Sequence, residues 1–137
     1  MCFEKDHVEE GWISIILRLA IAMLFAVAAS YKFIGGIGTT VQFFQEMFKT
    51  TWLPLFLVTP YAYAIGYIEA LLALWLLTGF NLRAGWVCTS LVLISLAFGL
   101  TVVKQPSSDI FIYLIISCAG IYVSRYDHFV IGKQKSN

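Results

Sequence analysis

YAYAIGYIEALLALWLLTGFNLR, residues 61–83, decides the fold, because it is a mostly apolar stretch with a single carboxylate, Glu69, near its middle. A helix of about 20 apolar residues spans the ~30 Å hydrocarbon core of a bilayer. A charged side chain at mid-bilayer depth costs roughly 2.5 to 3.5 kcal/mol on insertion scales, so it is by default a functional-site candidate. The stretch therefore predicts a membrane-spanning helix, and Glu69 is its first candidate functional residue.

The composition of the whole chain agrees with a membrane protein. Of the 137 residues, 60% are hydrophobic and only 12% are charged, and the mean hydropathy is +0.83. These values exclude an ordinary soluble protein, and the length fits one domain over residues 1–137. The net charge is +1, with no basic surface and no run of like charges, which excludes nucleic-acid binding.

The cysteine and histidine residues do not form a metal or redox motif. Cys2, Cys88 and Cys118 have no CxxC or zinc-like spacing, and the last two lie inside apolar segments, where cysteine is typical of a small hydrophobic residue. Cys2 and His7 together supply too few ligands for a metal ion. The sequence predicts no metal site, and it contains no flavin fingerprint or haem ligand pair that carries an electron.

Four apolar segments are candidates for membrane-spanning helices, and together they predict an all-α bundle of four transmembrane helices. At 1.5 Å rise per residue the first three are each about 30 Å long, and the fourth, of ~17 residues, is at the lower limit for crossing. Pro60 predicts where the second span starts, since proline disfavours a helix that continues through it. The segments are residues 13–34, 61–80, 84–103 and 110–126.

The loop after the first span contains a second, shorter helical pattern. Gly35 and Gly36 break the first helix, and a capping box from Thr39 to Gln42 predicts that an amphipathic helix restarts over residues 40–50. This helix is too short to cross the membrane, so we expect it to lie flat at the interface. A loop packed on the bundle is the alternative.

The connection between the second and third spans is a tight turn. Gly79 suits a left-handed helix end, Asn81 tolerates the same conformation, and Arg83 follows them. A turn of this length makes the two helices antiparallel neighbours.

The basic residues predict the orientation of the chain. With four spans, both termini lie on one side of the membrane, and six basic residues fall on that side against three on the other. Because cytoplasmic loops carry the excess of Lys and Arg, we expect both termini in the cytoplasm. The six are Lys5, Arg18, Arg83, Arg125, Lys133 and Lys135, and the three are Lys32, Lys49 and Lys104.

Arg18 and Lys32 are the candidate partners of Glu69. They lie 14 residues apart, about 320° of rotation at 100° per residue, and so share nearly one face of the first span. Glu69 shares a face of the second span with Gly66 and Ala73, and small residues of this kind let helices approach closely. If the two faces meet, the three polar groups converge in the bundle interior as a ligand-binding or buried polar cluster.

A structural role for the same residues stays open. Lys32 and Arg18 can extend along the helix to reach the two interfaces, and a protonated Glu69 can hydrogen-bond to Ser30 or to a backbone group. A buried ionic network can also fix how two helices pair. The residue pattern alone supports a ligand site and a structural network equally.

The polar and glycine residues of the first two spans follow a recognisable pattern. It comprises Arg18-Leu19, Phe25, Ala29, Lys32, Gly35-Gly36, Gly66-Tyr67-Ile68-Glu69, Leu76-Leu77-Thr78-Gly79 and Arg83. Over nearly the whole chain, this pattern resembles the DoxX family of small four-helix prokaryotic membrane proteins. The chain departs from the family where glycine is frequent, at Ala22, Ala29 and Ala73.

The DoxX resemblance implies a multi-pass protein of the prokaryotic inner membrane. Some members are associated with quinone-linked sulfur oxidation or with redox and oxidative-stress systems. The polar residues that match the family pattern are Arg18, Lys32, Glu69 and Arg83.

Three functions are compatible with these residues. The first is an accessory subunit of a quinone-linked redox or oxidative-stress system, in which Arg18, Lys32 and Glu69 contact a quinone head group. That subunit is not catalytic alone, because a soluble or membrane redox partner protein must supply the electrons. The second is a membrane scaffold that anchors a soluble partner through the tail and the turn at residues 81–83. The third is a small transporter, which requires a homo-oligomer, since four unbroken spans make a poor substrate path.

Overall fold

The computed structural model describes residues 2–124, and within that range every regular element is a helix, with no strand. The helices are α1 (Cys2–Ile34), α2 (Ile37–Phe48), α3 (Leu55–Thr78), α4 (Leu82–Val102) and α5 (Ser108–Val123). The predicted all-α class is therefore confirmed for this part of the chain. Three predictions fall outside it: the last two residues of the fourth span, the tail residues Arg125, Lys133 and Lys135, and the side chains of Cys2, Lys5 and His7.

Three of the helices are long and apolar enough to cross a membrane. They are Gly11–Ile34 within α1, Leu55–Thr78 and Leu82–Val102. Helix α5 has 16 residues and so a length of about 24 Å, which is shorter than the ~30 Å hydrocarbon core. The predicted count of four spans is therefore not confirmed, and the chain is a multi-pass membrane protein with three candidate spans among its described residues.

The start of α3 differs from the prediction, because the helix runs through Pro60 and begins at Leu55. The first four N–H groups of a helix have no intrahelical acceptor, so proline is costly only beyond them. Pro60 is the sixth residue of α3 and removes one backbone bond, the one to the Phe56 carbonyl. Helices in membranes tolerate such a loss when neighbouring groups compensate. The prediction that the helix starts after Pro60 is therefore wrong, because the loss of this one backbone bond does not end α3.

Helix α2 forms as a short amphipathic helix but starts earlier than predicted. Gly36 has a φ of 84° and is its N-cap without a side-chain hydrogen bond, so the capping box is wrong. The glycine reverses the chain and the helix resumes at once, at Ile37. Val41 and Phe48 are buried, and the Gln45 side chain donates to the Thr59 hydroxyl of α3 at 3.0 Å. Helix α2 thus packs along α3.

The four longer helices form a ring in which α1 contacts α3 and α5, and α4 contacts the same two helices. The packing is most extensive between α1 and α3 and between α4 and α5. Between α3 and α4, Gly79 and Asn81 have φ values of 73° and 42°, the left-handed conformation that the sequence predicts for both. The core inside the ring consists mainly of Ile21, Phe25, Leu72, Leu76, Trp86 and Leu93.

Candidate functional site

Lys32 and Glu69 form an ion pair between α1 and α3. The Lys32 ammonium donates to Oε2 of Glu69, and the two side chains are 19% and 3% exposed. A Cβ at Gly66 would lie 3.6 Å from Cδ of Lys32, so the aliphatic part of the lysine passes directly over this glycine to reach the carboxylate. Lys32 is therefore the accessible member of the pair, and Glu69 is the enclosed one.

Small residues bring the two helices close enough for this contact. Ala22 and Ala29 of α1 are buried, as are Gly66 and Ala73 of α3. Both faces therefore lie inside the bundle, and the carboxylate lies on the face that meets α1. Close approach of backbones at small residues is the usual way in which helices pack in membranes.

Arg18 contacts α3 near the C-terminal end of that helix, away from Glu69. Its Nε donates to the Leu76 carbonyl at 2.8 Å, and its Nη2 donates to the Leu77 carbonyl at 3.1 Å. These carbonyls belong to the last turn of α3, which lacks intrahelical donors and carries partial negative charge. Arg18 as a whole is 7% exposed, and its bond to the Leu76 carbonyl is buried, whereas its bond to the Leu77 carbonyl is part-buried.

The predicted three-residue cluster is thus divided between two places. The structure brings Lys32 and Glu69 together, whereas Arg18 lies about 21 Å away along α1, at 1.5 Å per residue. Ser30, the alternative partner of Glu69, is exposed and donates to the Ala26 carbonyl of its own helix at 2.7 Å. Both cations do face α3, because they share one side of α1.

An open groove between α1 and α2 reaches the ion pair. Its volume is about 430 Å³, and Lys32 lies in its wall. Thr39, Thr40, Tyr31 and Phe43 line the same groove. An ammonium has three N–H donors, so Lys32 can bind Glu69 and still donate to a ligand oxygen in the groove. The arrangement suits a lipophilic molecule with a hydrogen-bond acceptor.

Two hydroxyl contacts were not predicted from the sequence. Tyr61 and Ser95 are hydrogen-bonded at 2.9 Å between α3 and α4, next to a second cavity. Ser90 and Ser117 are bonded at 2.8 Å between α4 and α5, and both are buried. Isolated serines in apolar helices give no periodic signal, and Tyr61 carries the signature of an interface anchor, so only the packed structure reveals these pairs.

The remaining candidate residues lie outside the ion pair. Among the described side chains, no group of three or more His, Cys, Asp or Glu residues is arranged to hold a metal ion. Cys88 is half-buried and Cys118 is exposed, and neither forms a disulfide. At the α3–α4 turn, Gly79 ends the helix and Arg83 is exposed, at the end of α3 that Arg18 contacts.

The fold and the buried ion pair define a small, multi-pass, all-helical membrane protein. The family model of methylamine utilisation protein MauE matches residues 10–110, which is most of the chain, and the chain therefore belongs to the MauE family. No curated protein and no solved structure matches it.

Membership of the MauE family overturns the resemblance to the DoxX family, which was wrong. The residues that carried the resemblance explain the error. Gly66 lies against the aliphatic part of the Lys32 side chain, Gly79 ends a helix, and Arg18 binds helix carbonyls. Such residues serve the packing of apolar helices in general, so their spacing is a poor guide to one family.

Proposed function

We propose that this chain is a membrane accessory protein of a redox system that serves methylamine utilisation. Membership of the family of methylamine utilisation protein MauE supports the system, and the three candidate spans support the membrane role. The sequence has no CxxC, haem ligand pair or flavin fingerprint, so the electrons come from a soluble or membrane partner protein.

We propose that the protein binds a quinone or a similar lipophilic carbonyl compound. The observation that supports this is the Lys32–Glu69 ion pair at the wall of the groove. The ligand ring lies in the groove, and a carbonyl oxygen accepts a hydrogen bond from Lys32. Glu69 balances the charge of the lysine from behind. Quinone reduction consumes protons, and the Lys32 ammonium is a proton donor at the wall of the groove.

Arg18 has a different role in this proposal. Because it binds the last carbonyls of α3, it holds α1 against that helix and thereby fixes the position of the ion pair. It does not contact the ligand.

The decisive experiment measures binding of a short-chain quinone to the purified protein in lipid nanodiscs. Lys32→Met should weaken binding roughly tenfold or more, since it removes a charged hydrogen-bond donor. The matched control is Lys49→Met, because Lys49 is an exposed lysine that makes only a 3.9 Å surface contact with Glu46. That variant should bind quinone like the wild type.

A double variant separates a ligand role from a structural role. Lys32→Met combined with Glu69→Leu removes both charges at once, so no unpaired charge is left inside the bundle. We expect this protein to fold and to bind quinone weakly. Wild-type affinity in the folded double variant would remove the ion pair from the ligand site.

We further propose four membrane passes in the prokaryotic inner membrane, with both termini in the cytoplasm. The excess of basic residues on the terminal side supports this orientation, and the packing of α5 against both α1 and α4 supports its membership of the bundle. Reporter fusions after residue 106 and at the C-terminus test it. Fusions active on opposite sides of the membrane support a fourth pass, and activity on one side excludes it.

A membrane scaffold is the second candidate function, and the α3–α4 turn favours it. Asn81 and Arg83 are exposed there, and the indole N–H of Trp75 donates to the Phe80 carbonyl, which stabilises the turn. A soluble partner of the methylamine utilisation system would bind this turn. The scaffold predicts that Arg83→Ala abolishes co-purification of the partner, whereas Glu69→Ala lowers protein abundance without affecting any ligand. Crosslinking in the membrane tests whether the chain also forms a homo-oligomer.

A further inference from the structure

A second cavity lies between α2, α3 and α4, away from the ion pair. Its volume is about 260 Å³, and it shares no lining residue with the groove at Lys32. Its polar side chains are Tyr61 and Ser95. Its apolar walls include Phe48, Leu57, Val58 and Phe98.

Each of the two hydroxyl groups has one hydrogen, and the acceptor of that hydrogen determines whether the cavity can donate a hydrogen bond to a ligand or only accept one. The Ser95 hydroxyl donates to the Val92 carbonyl at 2.7 Å, and a hydroxyl has only one hydrogen. The hydrogen in the 2.9 Å contact between Tyr61 and Ser95 therefore belongs to Tyr61. Because its only hydrogen is committed, the Tyr61 oxygen has acceptor capacity but no donor to offer. A ligand that hydrogen-bonds to the Tyr61 oxygen must therefore bring its own N–H or O–H.

The size and the walls of the cavity restrict the ligand further. Drug-sized ligands occupy pockets of about 300 to 1,000 Å³, whereas a dry apolar cavity of about 150 Å³ binds benzene. A volume of 260 Å³ therefore suits one aromatic ring with a small substituent. Leu57 and Phe98 are exposed on the outer surface of the bundle, so the cavity opens toward the lipid.

We propose that this cavity is a binding site for a single-ring phenol, whose hydroxyl donates to the Tyr61 oxygen and whose ring packs against the apolar walls. The site is independent of the groove at Lys32 and of the function proposed above. It differs from that groove in its hydrogen bonding, since the groove offers a donor and this cavity offers an acceptor.

Three probes test the hydrogen-bond direction by ¹⁹F NMR titration of the full chain in nanodiscs, with empty nanodiscs as the reference for partitioning. They are 4-fluorophenol, 4-fluoroanisole, which has an oxygen but no donor, and fluorobenzene. We expect saturable binding, with the phenol roughly two- to twelvefold tighter than the other two, as one hydrogen bond gives. Equal affinities, or no saturable binding, would overturn the proposal.

Two variants and one control locate the site. Tyr61→Phe combined with Ser95→Ala removes both hydroxyl oxygens of the cavity and should reduce the affinity for 4-fluorophenol to that for 4-fluoroanisole, because no acceptor is left and the apolar walls remain. Gly99→Leu places a side chain in the cavity, where a Cβ already comes 3.4 Å from the Phe48 ring, and should abolish binding of all three probes. Ser90→Ala removes a hydroxyl outside the cavity and should change nothing. An undiminished preference for the phenol in the Tyr61→Phe/Ser95→Ala double variant, or its loss in Ser90→Ala, would contradict the assignment.

Discussion

The α1–α3 interface contains buried charges, and the described part of the α4–α5 interface contains none, although these are the two most extensively packed pairs of the bundle. Lys32, Glu69 and Arg18 join α1 to α3. Between α4 and α5, a Cβ at Gly120 would lie 2.4 Å from the indole of Trp86, and the buried polar contacts are serine hydroxyl groups. Charged contacts therefore join α1 to α3, whereas close steric packing joins α4 to α5.

This difference determines how each interface fails. A buried charge that loses its partner is strongly destabilising, whereas removing both charges is often neutral. A close contact at glycine has the opposite sensitivity, because any added atom must displace the neighbouring ring. The indole N–H of Trp86 has no hydrogen-bond partner among residues 2–124, which agrees with an interface selected for packing. Four substitutions test the contrast.

Lys32→Met should have the largest effect, a loss of about 3 to 5 kcal/mol in the free energy of unfolding, because it leaves the Glu69 carboxylate buried and unpaired. Steric trapping or SDS unfolding in mixed micelles measures the loss. Glu69→Leu in the same chain should restore most of the stability, and the exposed Lys49→Met is the matched control. A single variant as stable as the wild type would show that the charges do not join α1 to α3.

Gly120→Ala should come next, with a loss of about 3 kcal/mol, at the upper end of the range for overpacked cores. The new Cβ would meet three ring atoms of Trp86 at 2.4 to 2.6 Å, so the helices must separate. Gly66→Ala is the matched control in the other interface, where the Cβ would lie 3.6 Å from Lys32, an ordinary contact distance. Equal unfolding midpoints for the two variants would contradict a shape-limited α4–α5 contact.

Arg18→Met should cost about 2 kcal/mol, which is the contribution of one hydrogen bond to a charged group at roughly 1.5 to 3 kcal/mol, because the second of its two bonds is only part-buried and lies at the end of a helix. Arg18→Lys keeps the charge but cannot reproduce the two contacts with Leu76 and Leu77. It should therefore recover only part of the loss. Full recovery in a thermal unfolding experiment would mean that charge alone is sufficient at this position.

The sequence predicts the faces of the helices better than their partners. Periodicity places Arg18 and Lys32 on one side of α1, and both indeed contact α3. It does not predict the partner of Arg18, because that partner is backbone, and every apolar helix ends in carbonyls that have no sequence signature. The Lys32–Glu69 contact depends on how far α1 and α3 are shifted relative to each other along their axes. The long segment between them, which contains α2, leaves this shift undetermined in the sequence.

The sequence also does not predict every helix end or the number of membrane-spanning helices. Pro60 indicates a helix start, yet α3 runs through it, because helices in membranes tolerate an interior proline when neighbouring groups compensate for the lost backbone bond. For α5, hydropathy predicts an apolar helix, but 16 residues are too few to decide that it crosses the membrane. The Trp86–Gly120 contact has no signal at all in the sequence, because a glycine is equally compatible with a turn, a hinge or a close approach.

Ser117→Ala should have the smallest effect, about 0.6 kcal/mol, the typical value for a hydrogen bond between helices in a membrane. Ser117 and Ser90 both reach the Trp86 carbonyl, at 3.2 and 3.0 Å, so Ser90 can still donate to it when Ser117 is lost. Ser30→Ala is the control, because Ser30 bonds only within its own helix and is exposed, and it should change stability by less. SDS unfolding of both variants measures the difference. A loss for Ser117→Ala as large as that for Lys32→Met would mean that hydroxyl groups stabilise the α4–α5 contact as strongly as charges stabilise the α1–α3 contact. The two interfaces would then differ in their chemistry but not in their strength.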